Sequence, residues 1–508
     1  MATRPANIEQ REPTALELLD NPSEEALREL ARHHERTTEF GSPSYVTAVR
    51  ARSAKLTRNT VDGGITEADG RTIREVRQFL KDKHLIRVDR TMGAGSPEDV
   101  YACRLYVTRP YARLALMFQA SLLPPRADKR GDPDLITVDV PDWPGERAIL
   151  VDPDEGITYV LKSDYYGEVK KSFLRMTMYR AKQAGNLGLH AGSKAVRARD
   201  ARSGRIAPHG CLFFGLSGTG KTSLTCHDFD LTGQEGVTIR QDDVVVLRPD
   251  GYAEGTEGGG FYIKTERLSP RDQAALYDAC TSPRAILENV WTEDDGRVDF
   301  DNTELTGNGR AIVRIDDVRN TDGEIDLEQA DLIFFITRNP LVPAVGRLTR
   351  EQAAVAFMLG ESIKTSAADP NAKGEPVREV GTNPFIVGPR GEEGNIFYGI
   401  LSQNPATQCF LLNTGKVGEG KGAAKIALLD TVATLRAIAR NAVDWARDPA
   451  MGFEVPRSVD GVDDRKFSVA EYYSAGELEE RLHALRAERR EWLDRFDAFD
   501  EALRRACY

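Results

Sequence analysis

The stretch Gly215-Leu-Ser-Gly-Thr-Gly-Lys-Thr222 constrains this chain more than any other. It follows the apolar run Cys211-Leu-Phe-Phe214 and fits the pattern G-x-x-x-x-G-K-T. A strand, a glycine loop and a helix start in that order make an anion cradle, because glycine lets backbone N–H groups turn inward on a polyphosphate. Lys221 can reach the outer phosphates, and Thr222 can hold a magnesium ion. A chance glycine turn is the alternative, and the strand in front of the loop argues against it. The expected class is α/β with a P-loop.

The chain has 508 residues, enough for two or three hydrophobic cores. Its net charge of -11 argues against general nucleic-acid binding. The start, Met1-Ala-Thr-Arg-Pro-Ala-Asn7, has no apolar signal segment, and no run approaches the ~18 apolar residues of a membrane span. Cys103, Cys211, Cys226, Cys280, Cys409 and Cys507 are scattered and form no C-x-x-C pair. A reducing, cytoplasmic setting without disulfides is expected.

Along the chain, residues 1 to about 40 are polar and helix-prone. Ile136–Val140 and Arg147–Val151 read as strands. Glu168 to Ala184 reads as a helix closed by Gly185. Lys194 to Pro208 is basic and polar and reads as a linker or surface crossing. This predicts an N-terminal domain over 1–205 and a C-terminal, P-loop domain over 206–508. Within the latter, Asp243–Leu247, Phe261–Lys264, Leu332–Ile336 and Gln408–Asn413 are strand candidates. Thr349-Arg-Glu-Gln352 opens a helix as a capping box, with Gly360 as its stop. Residues 470–506 carry the pattern of one amphipathic helix.

Three features narrow the chemistry. Asp242 and Asp243 lie about twenty residues past Lys221 at a strand edge, where paired carboxylates can hold a divalent cation. A solvated turn is the alternative. Tyr165-Tyr-Gly-Glu-Val-Lys170-Lys171 puts two lysines in the first turn of a helix, against its dipole, which suggests a nearby anion or metal. A solvated lysine pair is the bland reading. His190 taken alone is as well explained as a satisfied core residue.

In order, these pieces resemble the ATP-dependent phosphoenolpyruvate carboxykinases: Tyr-x-Gly-Glu-x-Lys-Lys, His, Phe-Phe-Gly-Leu-Ser-Gly-Thr-Gly-Lys-Thr, then Asp-Asp. Glu257-Gly-Gly-Gly-Phe-Tyr-Ile-Lys264-Thr265 is similar to the family's glycine stretch, with one residue more. Leu287-Glu288-Asn289-Val290, Pro343-Ala-Val-Gly-Arg347-Leu-Thr349 and Asn413-Thr-Gly415 match further family phrases. The likeness is strong from 160 to 350 and thin before 85.

The resemblance implies a two-domain fold, with a substrate-binding α/β domain before the P-loop domain and the site in a cleft between them. It implies the reversible conversion of oxaloacetate and ATP to phosphoenolpyruvate, CO2 and ADP, a lyase reaction of gluconeogenesis. Mn2+ would be held by Lys171, His190 and Asp243, and Mg2+ would ride with the nucleotide at Thr222, with Asp242 behind it. Gly215, Leu216, Ser217, Gly218, Thr219, Gly220, Lys221, Thr222, Ser223, Glu288, Arg347 and Thr431 would contact the nucleotide. Arg52 and Tyr165 would meet the substrate with Lys171, while Lys170, Lys171, Lys221 and Arg347 would serve the chemistry. A mobile lid would lie near 352–380.

Departures keep two other readings open. Asp243 is followed by Val244-Val-Val, His190 by Ala-Gly-Ser, and Lys421 by Gly422 where the family has an arginine that contacts the nucleotide. The chain could be a kinase of the same fold acting on another acceptor, or a nucleotide-binding regulator without turnover.

Overall fold

A computed structural model of the chain describes residues 11–50, 54–129, 131–216, 218–271, 273–363 and 376–508. Their contacts divide into two compact units, each discontinuous in sequence. The first takes the chain up to Ala184, then Gly255–Ile325 and Phe385–Gly388; the second takes Gly185–Glu254, Asp326–Pro384 and Pro389–Tyr508. Residues 185–205 therefore group with the glycine-loop segment, and 255–325 with the part of the chain before 185, unlike a single cut near 205.

In the first unit, Leu135–Val140 and Ile157–Leu161 are buried along their whole length, so both faces of their sheet must be covered. They pair in parallel within a mixed sheet of seven strands. One face sends Ile136, Val138, Ile157 and Tyr159 against Val76 and Leu80 of the helix Glu67–Leu80. The other turns Thr137 and Thr158 toward the helix Tyr166–Gln183, where Thr137 Oγ1 lies 2.6 Å from Ser172 Oγ. That helix starts two residues before the expected Glu168, so Lys170 and Lys171 stand in its second turn, where the dipole penalty is weaker. Gly185, at φ 81°, follows its end as expected.

A second sheet of this unit runs Gly260–Lys264, Arg310–Arg314, Ile286–Glu288, Pro43–Tyr45 and Glu35–Thr37. Its first strand passes so close to the helix Ala112–Ser121 that a Cβ on Gly259 would sit 2.7 Å from the Ala120 carbonyl oxygen. Glu288 is fully buried at the end of its strand. Its Oε1 accepts the Tyr166 N–H at 2.9 Å, satisfying a backbone donor at a helix start that has no side-chain cap of its own. Its Oε2 accepts the Tyr262 hydroxyl.

The second unit is built on an eight-stranded sheet. At its centre Ile206–Phe214, Leu332–Thr337 and Gln408–Asn413 run parallel. Phe213, Phe334 and Phe410 stack across one face at 5.0 and 5.1 Å. Phe214 and Phe335 point to the other, against Phe357 and Phe397 of the helices Arg350–Leu359 and Arg390–Gln403. The expected linker over 194–208 is instead a hairpin: Ala191–Arg199 pairs antiparallel with Ile206–Phe214. Its arginines mark only one face, for Arg197 and Arg199 are exposed while Lys194, Val196 and Ala198 are buried.

The capping box of Thr349 and Gln352 forms, and Gly360 ends that helix at φ 43°. Residues 352–359, assigned to the start of a lid, are thus a buried helix. Glu361–Ile363 and Pro376–Arg378 then pair as a short hairpin, and the rest of the expected lid, 364–375, lies outside the described residues. The C-terminal pattern yields two helices, Ala475–Leu493 and Glu501–Arg504, rather than one. No helix among the described residues is long and apolar enough to cross a membrane.

Burial pushes the Glu288 carboxyl up to about 7 from its ordinary 4.5, against the opposing pull of its two hydrogen bonds. The folded protein then binds this proton more tightly than the unfolded chain does, so the carboxyl's contribution is complete below about pH 4.5 and is lost as pH rises through 7. Relative to Glu288→Gln, which cannot ionise, the wild-type protein should lose up to ~3 kcal/mol between pH 5 and 8. Melting curves of the two proteins across that range check it, and parallel curves would count against it.

Candidate functional site

The glycine loop follows the strand Ile206–Phe214 directly and leads into the helix Lys221–Cys226. Gly218 and Gly220 take φ of 81° and 110°, a region that side chains disfavour. A Cβ on Gly215 would meet Thr219 Oγ1 at 2.7 Å, so the turn closes only over a glycine. Thr219 is fully buried, and its hydroxyl donates to the Leu216 carbonyl at 2.7 Å. Ser217 lies outside the described residues; Ser223 is on the helix.

Two carboxylates stand over the helix start. Thr222 Oγ1 donates to Asp242 Oδ2 at 3.1 Å. Lys221 Nζ lies 3.4 Å from Asp243 Oδ1, and His190 Nε2 lies 3.0 Å from the same oxygen. His190 Nδ1 is 2.7 Å from the Thr382 carbonyl oxygen. A carbonyl only accepts, so Nδ1 carries a hydrogen, and Nε2 is the nitrogen turned toward Asp243. A ring fixed by its far nitrogen is the usual form of a metal-bound histidine, and with Asp243 beside it the pair can flank a cation; with Nε2 protonated the two meet as an ion pair. The structure thus brings His190, Asp243, Asp242, Lys221 and Thr222 together. Sequence reasoning had no means of finding Thr382, which acts through its backbone.

In the first unit, Tyr165 is buried, its hydroxyl accepting Asn308 Nδ2–H at 2.9 Å. Its ring folds back so closely that a Cβ on Gly167 would lie 2.4 Å from it, which accounts for the glycine in that motif. Lys170 Nζ pairs with Glu257 Oε2 at 2.9 Å, both side chains buried, beneath the Tyr262 ring. Lys171 Nζ lies 4.6 Å from the centre of the Phe385 ring. Asn308 also donates to the Arg50 carbonyl at 3.1 Å and carries no motif of its own. Arg52 lies outside the described residues.

Two of the expected nucleotide contacts have protein partners within their own units. Glu288 has both oxygens occupied inside the first unit, capping a helix and meeting Tyr262. Arg347 stands on the strand Val345–Leu348 of the second unit, where its Nε and a terminal nitrogen meet Glu454 at 2.8 and 2.7 Å and its guanidinium lies over Trp445. Thr431 is buried in the first turn of the helix Leu428–Ala439, with its hydroxyl 3.4 Å from the Ala427 carbonyl.

A model of the family described as phosphoenolpyruvate carboxykinase matches residues 18–465. The phosphoenolpyruvate carboxykinase (ATP) of Aeropyrum pernix is 34% identical to this chain over 476 residues, 93% of each. Those of Rhizobium rhizogenes and a Methylobacterium species are each 28% identical over about three quarters of this chain, 73%, and 69% of their own length.

If Asp243 helps hold a divalent cation, replacing it by Asn should weaken binding of Mn2+ as a probe at least about tenfold, since a formal charge leaves while the shape stays. Electron paramagnetic resonance of free Mn2+ in a titration measures it. Unchanged affinity would remove Asp243 from the cation site.

Proposed function

The chain belongs to the phosphoenolpyruvate carboxykinase family, and on that footing we propose that it converts oxaloacetate and ATP to phosphoenolpyruvate, CO2 and ADP. The observation that supports this best is the meeting of His190 and Asp243 at 3.0 Å beside Lys221 and the glycine loop. A nucleotide binder without turnover needs the loop but not an oriented imidazole aimed at a carboxylate.

The chemistry explains the residue types. The bond between oxaloacetate's methylene carbon and its terminal carboxylate breaks, CO2 leaves, and the electron pair becomes an enolate. The enolate oxygen then attacks the γ-phosphorus in line as the bond to ADP breaks. Negative charge thus gathers on the enolate and on the phosphoryl oxygens in flight, and placed positive charge is what the protein must offer. Mn2+ at His190 and Asp243, and Mg2+ with the nucleotide near Thr222, would supply part of it. Lys221 supplies an ammonium to the outer phosphates, and the backbone N–H groups of the loop hold the chain of phosphates still. Asp242 orients the Thr222 hydroxyl. In the first unit, Lys171 stands beside the Phe385 ring, and Lys170 is fixed by Glu257. Tyr165 offers a buried ring held by Asn308.

Purified protein given oxaloacetate and Mn2+ with ATP, GTP or pyrophosphate in turn tests the reading. Phosphoenolpyruvate should form with ATP. ATP loss without phosphoenolpyruvate would point instead to a kinase acting on another acceptor. Lys221→Met should lower kcat by about 10² to 10³, the scale for removing one placed charge or donor from a phosphoryl or acyl transition state. A coupled assay for phosphoenolpyruvate reads this loss.

A further inference from the structure

The three parallel strands at the centre of the second unit end side by side. Phe214 is opposite Phe335, and Thr337 is opposite Asn413. The chain leaves them at Gly215, Arg338 and Thr414, on neighbouring strands roughly 4.8 Å apart. Ligands of such sheets bind at this carboxyl edge. Thr414 joins the three ends chemically. Its hydroxyl donates to the Thr219 carbonyl inside the glycine loop at 2.8 Å and accepts the Arg338 Nε–H at 3.3 Å.

Arg338 is half-buried, and among the described residues no carboxylate pairs with it. Other arginines of this unit are matched by acids: Arg347 by Glu454, Arg489 and Arg378 by Glu361, Arg440 by Glu235. Burial alone moves the Arg338 pKa, downward, with no acid opposing it. A guanidinium does not lose its proton in such a place, so its charge stands uncompensated one hydroxyl away from the loop. With Nε committed to Thr414, the two terminal nitrogens keep four N–H donors in a planar fork, the geometry that grips two oxygens of one phosphate.

We propose that Arg338 binds a phosphate group of the nucleotide held by the loop Gly215–Thr222, Thr414 setting its angle. The assignment rests on the nucleotide-binding function proposed above and adds to it a residue outside every motif of the sequence. It also gives a role to the arginine that directly follows the buried strand Leu332–Thr337.

Calorimetric titration with MgATP and with inorganic tripolyphosphate, on wild type, Arg338→Gln and Arg338→Lys, tests it. Arg338→Gln should bind both probes about 10- to 100-fold more weakly, the scale of one charge-assisted fork. Arg338→Lys, which keeps the charge and loses the fork, should fall between, and melting temperatures without ligand should stay near wild type. Equal affinity of wild type and Arg338→Gln for both probes would overturn the proposal. Loss of ATP binding with tripolyphosphate binding kept would overturn it too, by moving the contact to the base or sugar. Should Arg338→Gln melt early, Arg338→Lys decides: weakening of about fivefold or more supports the contact, and wild-type affinity overturns it. If wild type binds neither probe, the nucleotide reading itself has failed.

Discussion

The parallel register of Ile206–Phe214, Leu332–Thr337 and Gln408–Asn413 is the constraint on which the second unit depends. A phenylalanine from each strand stacks on one face, so a slip of one residue would break the stack and turn each strand's buried set to the wrong side. Because the register is fixed, so are the exits, and the loop, the arginine and the threonine that joins them emerge at one edge. The site is a by-product of the core's alignment more than of local loop chemistry.

Elsewhere the same logic recurs with charge in place of rings. Glu288 joins a strand end, a helix start and a tyrosine deep in the first unit. Arg489, fully buried, holds Glu361 at 2.7 Å next to the hairpin Glu361–Ile363 and Pro376–Arg378. Breaking such a buried pair at one end leaves a lone charge in apolar surroundings, which costs far more than the pair itself contributes. The polar groups of this protein act as joints between segments far apart in sequence.

Much of the site was legible because glycine, lysine and threonine at that spacing answer to backbone geometry. The capping box at Thr349 was legible for the same local reason. The hairpin at 191–214 was not, since its basic residues mask a period of two that only burial reveals. The two units were not either: long-range pairing, such as Leu287 with Ser44, draws 255–325 to the earlier part of the chain and leaves no mark in composition. Arg338 and Thr414 were invisible as a pair because 76 positions separate them.

The carbonyl that orients His190 belongs to Thr382, a β-branched residue at φ 51°. Left-handed backbone is costly for such a side chain, by roughly 1–3 kcal/mol. The ring is therefore steered by a peptide group that no codon change can delete, while the residue carrying it is the wrong type for its own conformation. A change of side chain here, even to glycine, leaves in place the atom that touches the histidine.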